Sequence, residues 1–241
     1  MAVASSMTIA PVMAGSTTAV SDKALVIEES TEKWWEVEFT LGYDSKYIWR
    51  GLNFLGNKGI ATGDLNFSAY GLNAGVWYAE GLDTHYHEVN FYGSYGHDFG
   101  PIALEAGYLY YYYPTDPEPN KTHEVYIAAS TSVIPYITPS LAFYYDVDVY
   151  EGGYLELRFD GSFPVYKEIV SLEPWVSVSY DFDLMTEGNS WNNFELGVAV
   201  PFQITDYLSF RAYFAASFPV EELKKYEDNE AWAGASLTFT F

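Results

Sequence analysis

The sequence predicts an all-β fold, an antiparallel transmembrane β-barrel of about twelve strands with short periplasmic turns and longer extracellular loops. Three observations lead to this prediction: apolar residues recur with a period of two, short and long connections alternate, and aromatic residues crowd the strand ends. Helical periodicity is nearly absent from Trp35 onward. No run approaches the roughly 18 uncharged apolar residues of a membrane-spanning helix, which excludes a helical membrane protein.

The composition excludes several other classes of protein. The 241 residues include 33 Asp+Glu against 11 Lys+Arg, for a formal net charge of −22, yet 49% of them are hydrophobic and 19% aromatic. Such a chain has ample apolar surface to bury, so disorder is excluded for most of it. We expect no nucleic-acid partner, because neutralising phosphates needs a basic face. The absence of cysteine excludes a disulfide framework and a thiolate metal site.

The first segment differs from the rest, since no aromatic residue precedes Trp34. A small apolar stretch, residues 7 to 14, ends in a small-x-small pattern that resembles a signal-peptidase site. We therefore expect residues 1–32 to be a signal peptide remnant and flexible N-terminal segment, and residues 33–241 to form the barrel. No Lys or Arg precedes the stretch, so the alternatives are a true start further upstream or a simple flexible tail.

Each predicted strand has one apolar and one polar face. In the first, Trp35, Val37 and Phe39 alternate with Glu36 and Glu38, and the pattern returns eleven more times. The apolar faces lie within residues 35–43, 65–69, 72–78, 89–95, 102–110, 125–133, 141–145, 155–159, 176–180, 194–200, 208–214 and 233–241.

The connections indicate how the barrel is oriented. Links after odd-numbered strands are long and polar, as at residues 114–121 and 219–230, whereas even-numbered strands end in short turns, as at residues 70–71 and His97 to Gly100. A barrel inserted from the periplasm has this arrangement. We therefore expect a Gram-negative bacterial outer-membrane location and contact with outer-membrane lipid and lipopolysaccharide. The terminal Phe241 ends an alternating strand and predicts recognition by the barrel-assembly machinery.

Several motifs resemble a known family. They include Tyr47-x-x-Arg50-Gly51, Gly75-Val76-Trp77, residues 88–93, the Tyr-rich stretch of residues 107–114, residues 124–126 and residues 154–156. In this order, and across residues 37 to 182, they resemble the Gcw_chp-type family of uncharacterised bacterial proteins. That family is usually regarded as an outer-membrane barrel of unknown biochemical role. The resemblance therefore implies fold and location, and no reaction.

The face opposite the apolar one would line a strongly acidic lumen. Its predicted lumen and selectivity residues are Glu38, Asp44, Asp64, Glu88, Glu105, Glu124 and Glu156, with Arg158 and Arg211 as inward cations. A barrel of about 12 strands lies between filled barrels of about 8 and open ones of about 16–18. The acidity predicts a narrow passive channel for small solutes, with cations favoured. The alternative is a non-conducting structural or adhesive barrel whose acidic outer loops bind surface sugars, divalent cations or a partner.

Arg50-Gly51 is the predicted constriction at the mouth, because Arg50 lies where the first strand meets its outer loop. There Arg50 could pair with inward acids of the neighbouring strand and hold residues 52–59 across the mouth. The alternative is an Arg that faces lipopolysaccharide phosphates. No catalytic residue, cofactor or metal ligand set is predicted, since the four His lack partners at productive spacing.

Overall fold

The computed structural model describes residues 34–167 and 169–241, and the predicted leader, residues 1–32, lies outside the described residues. Within these ranges twelve long strands form a barrel, and three short strands and one 3₁₀ turn lie in its connections. The barrel strands are β1 (Trp35–Asp44), β4 (Ile60–Ala69), β5 (Leu72–Gly81), β6 (His87–Phe99), β7 (Ile102–Tyr112), β8 (Lys121–Thr131), β9 (Ile137–Asp146), β10 (Gly153–Gly161), β12 (Val170–Phe182), β13 (Asn189–Thr205), β14 (Leu208–Pro219) and β15 (Glu230–Thr240). The short elements are β2 (Ile48–Trp49), β3 (Leu52–Asn53), β11 (Phe163–Tyr166) and the 3₁₀ turn Leu223–Lys225.

The sheet closes on itself. Each barrel strand pairs antiparallel with the next, and β15 returns to pair with β1 from Glu38↔Thr240 to Asp44↔Gly234. The backbones of Val37 and Phe241 extend this seam, with N···O distances of 3.3 and 2.9 Å. Closure leaves the barrel without an unpaired edge, as a lipid-embedded sheet requires. The predicted twelve-stranded antiparallel barrel is confirmed.

The barrel has an apolar outside and a polar inside, the reverse of a soluble protein. Outward side chains such as Phe39, Leu65 and Ile127 are exposed, whereas inward Glu88 and Glu124 are each 1% exposed. This distribution follows from the period of two, because alternate residues of a strand lie on opposite faces. It matches an outer-membrane barrel surrounded by lipid. Separately, no helix within the described residues is long and apolar enough to cross a membrane.

Aromatic side chains are exposed near both rims, where an amphipathic ring has apolar and wet neighbours. Near the short-turn rim they are Trp34, Tyr70, Phe99, Tyr136, Tyr166 and Tyr207, and near the long-loop rim they are Tyr43, Tyr78, Tyr108, Phe182, Trp191 and Phe218. The prediction of rings at strand ends is therefore confirmed.

One predicted turn is displaced. The sequence places a short turn at His97 to Gly100, but β6 continues to Phe99, and the turn is Gly100-Pro101. The strand continues because His97 pairs with Leu104 across the sheet. At the first short turn, Tyr70 and Gly71 have φ values of 52° and 80°. Positive φ at both positions is what a two-residue hairpin turn needs to match the right-handed twist of its strands.

Candidate functional site

The first long connection turns into the barrel. Within residues 45–59, β2 and β3 form a short hairpin with Ile48 opposite Asn53 and Trp49 opposite Leu52, which we call the inner hairpin. Its tip is Arg50-Gly51, with φ values of 50° and 82°. A two-residue turn with positive φ at both positions suits the twist of paired strands. Because Arg rarely adopts positive φ, contacts elsewhere must hold it there.

Those contacts centre on the Arg50 guanidinium. Its Nη1 and Nη2 donate to the two carboxylate oxygens of Glu124 at 2.5 and 2.9 Å. The guanidinium carbon also lies 4.6 Å from the ring centroid of Trp49, 4.8 Å from that of Tyr144 and 4.6 Å from that of Tyr154. A buried bidentate pair flanked by aromatic faces is a strong, directional arrangement for a cation. We call the Arg50–Glu124 pair the latch.

The latch differs from the sequence-based prediction in its partner. Glu124 belongs to β8, whereas the neighbours of β1 are β4 and β15. Arg50 also points into the barrel and not toward lipopolysaccharide, since its side chain is 5% exposed. The reason is the length of the hairpin, which carries Arg50 away from its own strand and across the lumen.

The other side of the tip contacts a different part of the wall. The Asn192 side chain donates to the Arg50 carbonyl at 2.7 Å. A Cβ added at Gly51 would lie 2.8 Å from Leu223 and 3.2 Å from Asn193. The tip therefore fits tightly between β8 on one side and β13 with the 3₁₀ turn on the other. Only glycine fits at this position, because positive φ and close packing coincide there.

The base of the inner hairpin fills the upper lumen, the part on the long-loop side. Tyr47 and Tyr86 both donate to Glu88, each at 2.5 Å, and Tyr47 packs against Trp77. Burial and the Glu88 carboxylate raise the pKa of the Tyr47 hydroxyl well above its ordinary value, so the hydroxyl remains a donor. Because Tyr47 and Trp77 are each 1% exposed, this side of the upper lumen is closed.

At the outer mouth the loop is held by a carboxylate of β15. Lys46 and Asn53 both donate to Glu230, at 2.5 and 2.8 Å. The side chains of Lys46 and Glu230 are 22% and 15% exposed, so this pair is partly screened by water. The loop is therefore fixed at its mouth by a weaker interaction than the buried latch.

A repeated unit recurs along the inner wall of the barrel. Among the described residues, four inward rings each lie over a glycine of the paired strand and donate a hydrogen bond to a carboxylate. The units are Tyr92 over Gly75 with Asp64, Tyr126 over Gly107 with Glu105, Trp175 over Gly197 with Glu195, and Tyr213 over Gly234 with Asp44. A ring that covers a glycine lies along the wall, so it does not project toward the barrel axis. In each unit the ring donor also partly satisfies the charge of the carboxylate.

The lower lumen, toward the short turns, keeps partly exposed charged groups. Glu38 and Asp64 lie on the β1–β4 wall and are intermediate in exposure. On the opposite run of strands, Arg158 Nε donates to Asp160 at 2.9 Å, and Arg211 lies 5.8 Å from the Trp175 ring. Glu173 is within 3.8 Å of Arg211, and Glu156 pairs with Ala142 and Ser179 in the sheet beside Tyr154. Each Arg here has its own carboxylate neighbour.

The sequence-predicted residues thus separate into three groups. Arg50, Gly51, Glu88 and Glu124 meet at the inner hairpin; Asp44, Asp64 and Glu105 accept from aromatic donors; Glu38, Glu156, Arg158 and Arg211 line lower levels of the wall. Sequence reasoning named Tyr47 only as part of a motif and did not predict that Tyr47, Trp49 and Asn192 contribute to the site. The strand pattern carries no signal for Tyr47 or Trp49, because both lie in a connection.

Comparisons with known proteins follow the fold. No protein-family model matches the chain. No curated protein matches its sequence. Among solved structures, the NanC porin matches with a TM-score of 0.60 and 10% identity, covering 84% of this chain and 98% of that one.

Two further structures match at similar levels. The KdgM porin has a TM-score of 0.58 and 9% identity over 86% of this chain and 99% of its own. An outer-membrane channel from Pseudomonas putida F1 has a TM-score of 0.56 and 10% identity over 91% and 100% of the two chains. These likenesses concern the fold. With its closed sheet and apolar exterior, the chain is an outer-membrane β-barrel.

Proposed function

We propose that the protein is a narrow passive channel for small polar solutes, with cations favoured. The observation that carries this proposal is the partly exposed lower lumen, where Glu38 and Asp64 face the barrel interior. Fixed carboxylates in a narrow, low-dielectric passage raise the local concentration of cations and repel anions. The porin-like fold supports passage as the general role.

The balance of charge in the lower lumen supports the preference for cations. Arg158 is paired with Asp160 at 2.8 Å, and Arg211 lies within 3.8 Å of Glu173. These two pairs leave little net positive charge on their side of the wall. Glu38 accepts a hydrogen bond from the Thr240 hydroxyl at 3.4 Å and adds a carboxylate to the β1–β4 wall.

The shape of the wall supports a bore below the inner hairpin. The four glycine-backed rings occupy space that a Cβ would otherwise take, so these rings extend along the wall. Within the described part of the chain, the inner hairpin enters the upper lumen, where Leu184 and Leu223 of two other outer connections are also buried. We infer that this hairpin is the constriction and that its position determines how much passes.

Bilayer conductance under a KCl gradient tests this proposal. In the double variant Glu38→Gln with Asp64→Asn, the reversal potential should move toward zero, because two carboxylates on the inner wall are lost. Glu80→Gln is the matched control, since Glu80 lies on the outer face of β5 and its loss removes charge outside the lumen. Equal selectivity in the wild type and the double variant would contradict the acidic-lumen mechanism.

A second candidate is a non-conducting structural or adhesive barrel. The upper lumen favours it, because Tyr47, Trp77 and Tyr111 are each 1% exposed around the inner hairpin. The acidic loop of residues 220–229 would then bind surface sugars, divalent cations or a partner. Correctly inserted protein without unitary conductance steps would favour this candidate over the channel.

Two further points remain proposals. Membership of the Gcw_chp-type family is supported by the ordered motifs of residues 37 to 182. Recognition by the barrel-assembly machinery is supported by Phe241, which ends the closing seam and is 55% exposed. Replacing Phe241 with Ser should lower the amount of protein inserted into the outer membrane, measured by heat-dependent gel mobility of membrane fractions.

A further inference from the structure

The latch has the composition of a receptor and its ligand. The receptor groups belong to the barrel wall: Tyr111 on β7, Glu124 on β8, Tyr144 on β9 and Tyr154 on β10, which are four adjacent strands. The ligand is the guanidinium of Arg50, which arrives on the inner hairpin. The wall therefore presents one carboxylate and several aromatic faces to a cation that the chain itself supplies.

The wall groups are held without help from Arg50. Tyr111 donates to Glu124 at 2.8 Å, and Tyr144 stacks on Tyr126 at a centroid distance of 5.3 Å. Tyr154 donates to the Asn193 side chain at 3.3 Å. Groups that are already oriented lose little conformational freedom on binding, which favours affinity.

The chemistry of these groups selects a planar organic cation. A carboxylate with both oxygens engaged matches the two parallel N–H donors of a guanidinium. The rings of Tyr144 and Tyr154 lie 4.8 and 4.6 Å from the guanidinium carbon, within range for cation–π attraction. A small hydrated ion such as sodium has no forked N–H donors and is strongly hydrated, so this site should bind it weakly.

The occupant is carried by a segment that is not part of the barrel sheet. The inner hairpin has two register pairs of its own, Ile48↔Asn53 and Trp49↔Leu52, and forms no ladder with the barrel. Its tip is tied to the wall through side chains, namely those of Glu124 and Asn192. A competing ligand at Glu124 therefore removes the main ionic contact of the hairpin and leaves the barrel intact.

We propose that Glu124, Tyr111, Tyr144 and Tyr154 form a receptor for guanidinium-type organic cations, which Arg50 occupies when the lumen is closed. A solute that bears such a group exchanges with Arg50 and so releases the inner hairpin during passage. The exchange during passage rests on the proposed channel function, whereas the receptor itself does not.

Binding of methylguanidinium to the detergent-folded protein tests the receptor, with calorimetry as the readout. In Arg50→Ala the site is vacated. Methylguanidinium should bind this variant about tenfold or more tightly than it binds the double variant Arg50→Ala with Glu124→Gln, because the double variant lacks the charged acceptor of its hydrogen bonds. Sodium at the same concentration should not compete. Equal affinity of the single and double variants would overturn the receptor.

A second variant covers the case in which Arg50→Ala fails to fold, because that change leaves Glu124 buried without its cation. Arg50→Lys keeps the charge but cannot form two parallel hydrogen bonds, so methylguanidinium should bind it more tightly than it binds the wild type. Heat-dependent gel mobility confirms folding of each variant. The absence of binding to every folded variant would refute the proposal.

Conductance separates the receptor from the channel. Methylguanidinium should raise the unitary conductance of the wild type more than equimolar sodium does, because it displaces Arg50. Binding to Arg50→Ala without conductance in any variant would keep the receptor and refute exchange during passage together with the channel function. Conductance without binding would keep the channel and refute the receptor.

Discussion

Gly107 is the position at which the glycine-backed rings can be tested most directly. Its Cβ, if added, would lie 2.6 Å from the hydroxyl oxygen of Tyr126, and carbon atoms of the same ring are also within contact distance. Gly107→Ala therefore forces Tyr126 off the wall. The displaced ring cannot keep its hydrogen bond to Glu105, because that bond depends on the ring lying over the glycine.

The cost follows from these two losses. Relieving the overlap by moving a packed ring costs about 1–3 kcal/mol, the usual range for overpacking. Losing a hydrogen bond to a carboxylate costs about 1.5–3 kcal/mol more. Gly107→Ala should therefore lower the free energy of unfolding by about 2.5–6 kcal/mol if both losses apply in full.

Urea unfolding in lipid vesicles, followed by tryptophan fluorescence, measures this difference. Gly96→Ala is the matched control: Gly96 is the register partner of Glu105 on β6, and its added Cβ would meet Glu105 at an ordinary 3.7 Å. Both substitutions change a glycine to alanine and so restrict the unfolded chain alike. The difference between their free energies of unfolding therefore measures the effect of displacing the Tyr126 ring. Equal stabilities of the two variants would refute the idea that Tyr126 depends on a glycine beneath it.

Three more predictions concern single contacts. Tyr213→Phe removes the donor to Asp44 and should destabilise the barrel by about 1.5–3 kcal/mol in the same urea assay. Burial would lower the pKa of Arg50, but Glu124 outweighs it and raises the pKa, so the latch stays charged and conductance should not change from about pH 9 to about pH 10. Lys46→Gln removes the ion pair with Glu230 and should speed trypsin cleavage after Arg50 at low salt, an effect that fades at high salt.

Each of these has a check. Tyr43→Phe changes an outward, 46% exposed ring and should leave stability near that of the wild type. The pH prediction follows from the sign of the shift: a raised folded pKa stabilises fully below the ordinary pKa of arginine and is lost only as the pH approaches the folded value. A rise in conductance at moderately alkaline pH would contradict it. Lys58→Gln, at the exposed pair with Asp83, should not change cleavage after Arg50.

The barrel strands were predictable from sequence because a period of two assigns each residue to a face. Glu88, Glu105 and Glu124 follow this rule and are buried inside, while Phe91 and Val125 are exposed outside. The turn at Gly100 was misplaced because His97 and Phe99 continue the same alternation, and alternation alone does not say where pairing stops.

The site was only partly predictable. Arg50 was identified because it follows the first strand, but its partner Glu124 lies 74 residues away in sequence, and the path of a loop depends on what it packs against. The glycines beneath the rings carry a signal, since Gly75 and Gly107 sit at inward positions. Matching each to its ring needs the register between strands, which the stagger of the barrel determines and local patterns do not.

The uneven placement of charge along the barrel axis has an electrical consequence. The guanidinium of Arg50 lies toward the outer end, while the partly exposed carboxylates of Glu38 and Asp64 lie toward the short-turn end. Ions that enter from the long-loop side therefore meet a cation already neutralised by Glu124, whereas ions from the short-turn side meet carboxylates first. A conducting barrel with this charge distribution passes unequal currents at equal positive and negative voltages, which is rectification. The direction of the larger current is reversed when the protein is inserted into the bilayer in the opposite orientation.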